Sequence, residues 1–96
     1  MAFQLTIKEE AKRDILKGFL WYEAKQNGLG VRFVNDVEAS IQFVEMKPRA
    51  FQIKNKYYRE AVLSTFPYVV IYELNKLQIT VYAIFPTKDD PSKKPK

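Results

Sequence analysis

Between Tyr57 and Leu74 the chain reads YYREAVLSTFPYVVIYEL, and no other stretch limits its fold so tightly. From Phe66 onward both alternation sets are apolar or aromatic, with Phe66, Tyr68, Val70, Tyr72 and Leu74 on one face and Pro67, Val69 and Ile71 on the other. Successive side chains of a strand point to opposite faces, so this strand must be covered on both and lie at the centre of an antiparallel sheet. Pro67 cannot donate to a ladder, which puts it at the strand's first position and starts the strand near Phe66, with Ser64-Thr65 supplying the bend. Upstream, Tyr57 to Leu63 forms a second strand. Arg59 and Glu60 are adjacent there and point to opposite faces, so one of them lies over the core side or at its rim.

The rest of the chain supplies what covers such a sheet. Phe3, Leu5 and Ile7 alternate with Gln4, Thr6 and Lys8, a short strand with one buried face. Thr6 and Glu9 have the spacing of a capping box, so strand and helix start compete there, and the boundary falls near Lys8. Ala11, Ile15, Phe19 and Tyr22 then recur every three to four residues, with Leu16 and Leu20 widening the stripe, and this amphipathic helix ends before Asn27-Gly28. Gly18 inside it marks close packing against a neighbour. The short Gly28-Leu29-Gly30 link turns the next helix back antiparallel. That helix, Val31 to Met46, buries Phe33, Val34, Val37, Ile41 and Val44 and stops at Lys47-Pro48. Phe51 and Ile53 begin strand pairing, Lys54-Asn55-Lys56 interrupts it, and Asn75-Lys76 is a tight turn. Beyond the turn, Leu77, Ile79, Val81, Ala83 and Phe85 alternate with Gln78, Thr80 and Tyr82 as a half-buried strand. The result is an α+β two-layer domain: an N-terminal strand, a helical hairpin and then three antiparallel strands. Residues 1–87 form this single domain and 88–96 a basic, Pro- and Lys-rich tail.

Composition narrows the chemistry. The 96 residues include neither Cys nor His, which removes thiol catalysis, thiolate metal sites and the commonest general base and metal ligand. No Asp/Glu cluster has calcium-loop spacing, so neither a metal nor a cofactor is expected. No run approaches about 18 consecutive apolar residues, so a membrane span is not expected, and with no signal peptide the expected compartment is the cytoplasm. Sixteen Lys and Arg against eleven Asp and Glu give a net charge of +5, a modest bias toward polyanions or acidic protein segments.

A further set of residues stands in a recognisable order: Ala11 and Asp14-Ile15, Trp21-Tyr22-Glu23, Gly28-Leu29-Gly30 with Arg32-Phe33, Pro48 with Phe51, Arg59, Phe66-Pro67-Tyr68 with Tyr72, and Ala83-Ile84-Phe85 leading to Asp90-Pro91. In this order and spacing the chain resembles the RelE/ParE superfamily of toxins from bacterial type II toxin–antitoxin pairs, and more closely its ParE-like, plasmid-stabilisation branch. The resemblance covers nearly the whole chain and implies the same strand, helical hairpin, three-strand fold. It departs at two positions. Where the ParE-like pattern carries a His soon after the last strand and an Arg before the Asp/Asn-Pro, this chain has Pro86 and Asp89, with Lys88 displaced by one position.

The resemblance implies a cognate antitoxin as partner, for which Trp21 and Tyr22 are the candidate contacts, and a homodimer is left open. As target it implies DNA gyrase, bound without chemistry of the toxin's own. The alternatives are a RelE-like mRNA endonuclease acting on the ribosome, or a degenerate toxin that binds only its antitoxin. RNA cleavage needs a group to activate the ribose 2′-hydroxyl and cations on the phosphate. Without His, the candidates are Lys54, Lys56, Arg59, Lys88 and tyrosines such as Tyr58, Tyr68 and Tyr82, and a lysine serves as base only if its pKa falls by about three units.

Overall fold

A computed structural model describes residues 2–95. β1 (Gln4–Ile7) leads into α1 (Glu9–Lys25), and a short link joins α1 to α2 (Leu29–Met46). β2 (Ile53–Asn55), β3 (Tyr58–Val62), β4 (Tyr68–Asn75) and β5 (Gln78–Pro86) follow, and a 3-10 turn at Pro91–Lys93 closes the chain. The five strands lie in the order β1-β5-β4-β3-β2. This is the anticipated α+β arrangement of strand, helical hairpin and antiparallel strands, with two additions: the short β2 makes four strands after the hairpin rather than three, and β1 joins the far side of β5 in parallel, so the sheet is mixed.

Central β4 is buried on both faces, as its two apolar alternation sets require. Val70 and Tyr72 face the helices, where they meet Phe33, Val37, Ile41 and Val44 of α2 and Ala11 of α1. Val69 and Ile71 face away from them, with Tyr58, Ala83 and Phe85. The hairpin is held at two glycines. A Cβ on Gly18 would stand 2.5 Å from the Phe33 ring, and one on Gly30 would stand 2.6 Å from the Phe19 carbonyl oxygen. Gly28 takes a φ of 87°, open to glycine at little cost, and lets the chain reverse. The Glu23 carboxylate then accepts the Gly28 and Gly30 N–H groups, both at 2.9 Å, capping the start of α2.

The strand gives way to the helix at Lys8, as expected: Thr6 belongs to β1, opposite Thr80, and its hydroxyl accepts from Gln78 at 3.0 Å. Four expectations are corrected. Leu16 and Leu20 do not widen the buried stripe, since each is 57% exposed on the outer side of α1. The second helix begins at Leu29, two residues earlier than expected, because Glu23 satisfies its first amides. β4 begins at Tyr68. Asp36 on α2 takes the Thr65 and Phe66 N–H groups at 2.9 Å, and Pro67 has none to offer, so no ladder forms before Tyr68. In β5, Ala83 and Phe85 do not share a face with Ile79 and Val81. The register slips between Ile71 and Tyr72, leaving Tyr82 as an extra residue. This bulge puts Tyr82 and Ala83 on the same side, away from the helices, and turns Ile84 toward them.

Candidate functional site

β1 is shorter than its neighbour, and that opens a cleft. It pairs with Gln78 to Val81 only, the Lys8 N–H closing the ladder on the Val81 carbonyl at 2.9 Å. From Tyr82 to Pro86 the outer edge of β5 has no strand partner and forms the floor of a cleft of about 870 Å³, walled by α1 on one side and by the chain after β5 on the other. An unpaired strand edge is a template for another chain. Here it is partly blunted. The Asp14 carboxylate on α1 accepts the Ile84 N–H at 3.0 Å. Burial pushes the Asp14 carboxyl above its usual range, opposed by the Ile84 hydrogen bond and by nearby Lys17, while Glu10 pushes it further up.

The aromatic wall of the cleft is built from the core outward. Phe33 and Phe66 pack on Tyr22 at ring-centroid distances of 5.3 and 4.8 Å, and Tyr68 packs on Phe33 at 4.9 Å. Burial, then the neighbouring Tyr22 charge and hydrogen bond, push the Tyr68 phenol up to about 12. Tyr82 is pushed to about 12 by its hydrogen bond to Glu73, 2.7 Å long, and by burial. At neutral pH both phenols are therefore uncharged donors and neither is a base. Trp21 stands at the rim, 59% exposed, with the Lys25 ammonium 4.3 Å from its ring centre. The cleft charges are mixed: Lys8, Lys17, Lys88 and Lys93 against Glu10, Asp14 and Asp89.

A second, smaller groove of about 440 Å³ lies on the sheet face turned away from the helices. The tail crosses this face, and Lys94 donates to Glu60 of β3 at 2.9 Å while lying 5.5 Å from the centre of the Phe85 ring.

The basic candidates are spread over several places. Lys54 lines the smaller groove, beside Glu60. Lys56 is exposed at the tip of the β2–β3 hairpin with a φ of 56°. Arg59 lies opposite Tyr72 on the helix side of the sheet, where its Nη1 donates to the Phe51 carbonyl and its charge bears on Tyr72. Lys88 lines the large cleft, together with Trp21 and Tyr22. Arg59 pairs with Ile53, next to Lys54, but strand alternation turns Lys54 and Arg59 to opposite faces of the sheet. Sequence reasoning gave no role to Asp14, Glu60 or Lys94. The available signal for Asp14 was a carboxylate set between two buried positions of α1, Ala11 and Gly18. The Glu60–Lys94 pair joins residues far apart in sequence and had no signal.

The family model described as ParE toxin of type II toxin-antitoxin system, parDE, matches residues 5–91. The chain belongs to the ParE toxin family. No curated protein matches it by sequence. Among solved structures, this ParE-family chain is similar to a chain of the chromosomal ParDE toxin–antitoxin system from P. aeruginosa, at 13% identity, TM-score 0.82, 91% of this chain and 98% of that one. The isolated E. coli RelE toxin matches at 16% identity and TM-score 0.67, over 95% and 90% of the two chains. The intact E. coli RelBE toxin–antitoxin complex matches at 15% identity and TM-score 0.68, over 92% and 100%. At these identities the likeness is one of fold. Both departures from the ParE-like pattern, Pro86 and Asp89, line the large cleft, and the Asp89 charge reaches the Tyr68 phenol. Among the described residues no helix is long and apolar enough to cross a membrane, and no group of three potential ligands could hold a metal ion.

Proposed function

We propose that this ParE-family toxin acts by binding, with DNA gyrase as its target, and that a cognate antitoxin occupies the cleft between α1 and β5. The observation that carries the antitoxin reading is the junction of two features in one cleft: the unpaired β5 edge from Tyr82 to Pro86 and the exposed Trp21 beside Tyr22. Main-chain hydrogen bonds along an edge give affinity to an extended segment, and an aromatic at the rim gives it an apolar anchor. Binding rather than cleavage is favoured by the scatter of the basic candidates, because phosphate and nucleophile have to be held within about 3 to 3.5 Å of one another for chemistry. Lys54, Arg59 and Lys88 instead line a groove, the opposite sheet face and a cleft respectively. A cytoplasmic location follows from such a target.

The test of the antitoxin part is titration calorimetry of the purified chain with the protein encoded beside it, at low salt. Trp21→Ala should weaken binding at least tenfold while leaving the urea midpoint unchanged. Undiminished affinity in Trp21→Ala would move the antitoxin away from this cleft, and no binding by the parent chain would remove the antitoxin reading.

A further inference from the structure

Residues 91–95 meet the sheet face turned away from the helices at Glu60 and Phe85, and the chemistry of that contact is specific. Val69, Ile71, Ala83 and Phe85 are all buried there although no helix lies over them. The tail after Asp90 is bent by a 3-10 turn, with Asp90 accepting the Ser92 N–H at 3.0 Å, and is then directed across the sheet. It is secured by one side chain. Lys94 Nζ sits 2.9 Å from Glu60 Oε2 and 5.5 Å from the centre of the Phe85 ring, so it makes an ion pair and a cation–π contact at once. The Glu60 side chain is only 15% exposed. Among the described residues the other ion pair, Lys12 with Glu9, is in open solvent. Lys54 lines the same groove as Glu60 without pairing with it.

The geometry points to a recognition site for a basic, extended segment of a partner protein, with Lys94 as its intramolecular stand-in. Removing one partner of a sheltered ion pair leaves an uncompensated charge, which is far costlier than exchanging that partner for another of the same sign. A segment that displaces the tail must therefore bring a cation to Glu60. An acidic segment or a nucleic acid brings none, and its negative charge would meet that carboxylate beside Phe85. An extended segment with lysine or arginine next to a proline, the pattern Lys94-Pro95, reproduces the ion pair and the cation–π contact of Lys94 and the place of Pro95 in the groove. This site adjoins the α1–β5 cleft, whose lining includes Phe85 and Pro95, but its defining contact is Glu60, which the cleft does not reach, so it stands or falls independently of the antitoxin reading.

The test uses the full chain and a fluorescein-labelled synthetic peptide with the sequence of residues 88–96. Lys94→Ala releases the internal competitor. The peptide should bind that variant at least tenfold tighter than the parent, read by anisotropy, and should shift the backbone amide resonances of Glu60, Ile71 and Phe85. A peptide carrying uncharged norleucine in place of the lysine before the last proline-lysine pair should bind at least tenfold more weakly. Glu60→Gln should remove the difference between the two peptides, while Trp21→Ala should leave it unchanged. Equal binding of the lysine and norleucine peptides would overturn the proposal, and this comparison holds on Lys94→Ala even if Glu60→Gln fails to fold. Binding of a single-stranded RNA oligonucleotide at the same amides in Lys94→Ala would overturn it as well.

Discussion

The substitution Gly18→Ala sets two effects of opposite sign against each other, and the structure decides between them. Alanine is favoured over glycine in a helix interior by about 1 kcal/mol, so on an exposed face the change would stabilise the protein. At Gly18 the new Cβ falls 2.5 and 2.6 Å from Cε2 and Cζ of Phe33, against about 3.5 to 4.0 Å for carbon atoms in contact. The ring would have to retreat by roughly 1 Å. Phe33 is fully buried, and its ring centre lies 5.3, 5.5 and 4.9 Å from those of Tyr22, Phe66 and Tyr68, so it cannot retreat without moving an aromatic cluster. Overpacking of this kind costs about 1 to 3 kcal/mol and outweighs the helix term. Gly18→Ala should therefore lower the free energy of unfolding by about 1 kcal/mol in urea titration, with an unchanged slope. Combined with Phe33→Leu, which vacates the contact, the alanine should cost nothing further. A stabilisation of about 1 kcal/mol by Gly18→Ala alone would refute the packing argument.

Three further outcomes follow from specific contacts. Asp36→Ala removes the acceptor of the Thr65 and Phe66 amides, two charge-assisted bonds, and should lower thermal stability by about 2 kcal/mol; a loss under about 0.5 kcal/mol would show that water replaces the carboxylate without cost. Burial raises the Asp14 carboxyl in the folded state, so its contribution to stability is full below the ordinary value of 3.8 and is lost as pH rises through the higher folded value. Relative to Asp14→Asn, which can still accept from Ile84, the parent should lose stability across that interval in urea titrations from acid to neutral pH, and a constant difference would contradict it. Tyr68, Tyr72 and Tyr82 are each pushed up to about 12, and Tyr58 is raised by its hydrogen bond with Tyr57 and by burial, so four of the six tyrosines should ionise late in an ultraviolet titration, with stability falling as pH rises above 10.

The architecture was legible where periodicity is strong. The double apolar pattern of Phe66 to Leu74 fixed a central strand because no half-exposed strand carries it, and the stripe of α2 appears as read, with Phe33, Val37, Ile41 and Val44 buried. Contacts between distant segments were not legible. Nothing local indicates that β1 runs parallel to β5, and a bulge such as that at Tyr82 appears in sequence as unbroken alternation. Leu16 and Leu20 looked like core because helix periodicity cannot tell which side of an apolar arc meets the sheet. The site shares this limit. Trp21 and Tyr22 could be named through the family resemblance, but the cleft beside them exists because β1 stops at Ile7 while β5 continues to Pro86, and its Asp14 cap spans most of the chain.

Supercoiling of relaxed plasmid by purified DNA gyrase, measured with and without the purified chain and paired with primer-extension mapping of transcripts after its induction in cells, bears most directly on binding as the mode of action. Inhibited supercoiling with intact transcripts is the predicted result. Unimpaired supercoiling together with discrete new cuts inside codons, lost on mutating Lys54, Lys56 or Arg59, would contradict it.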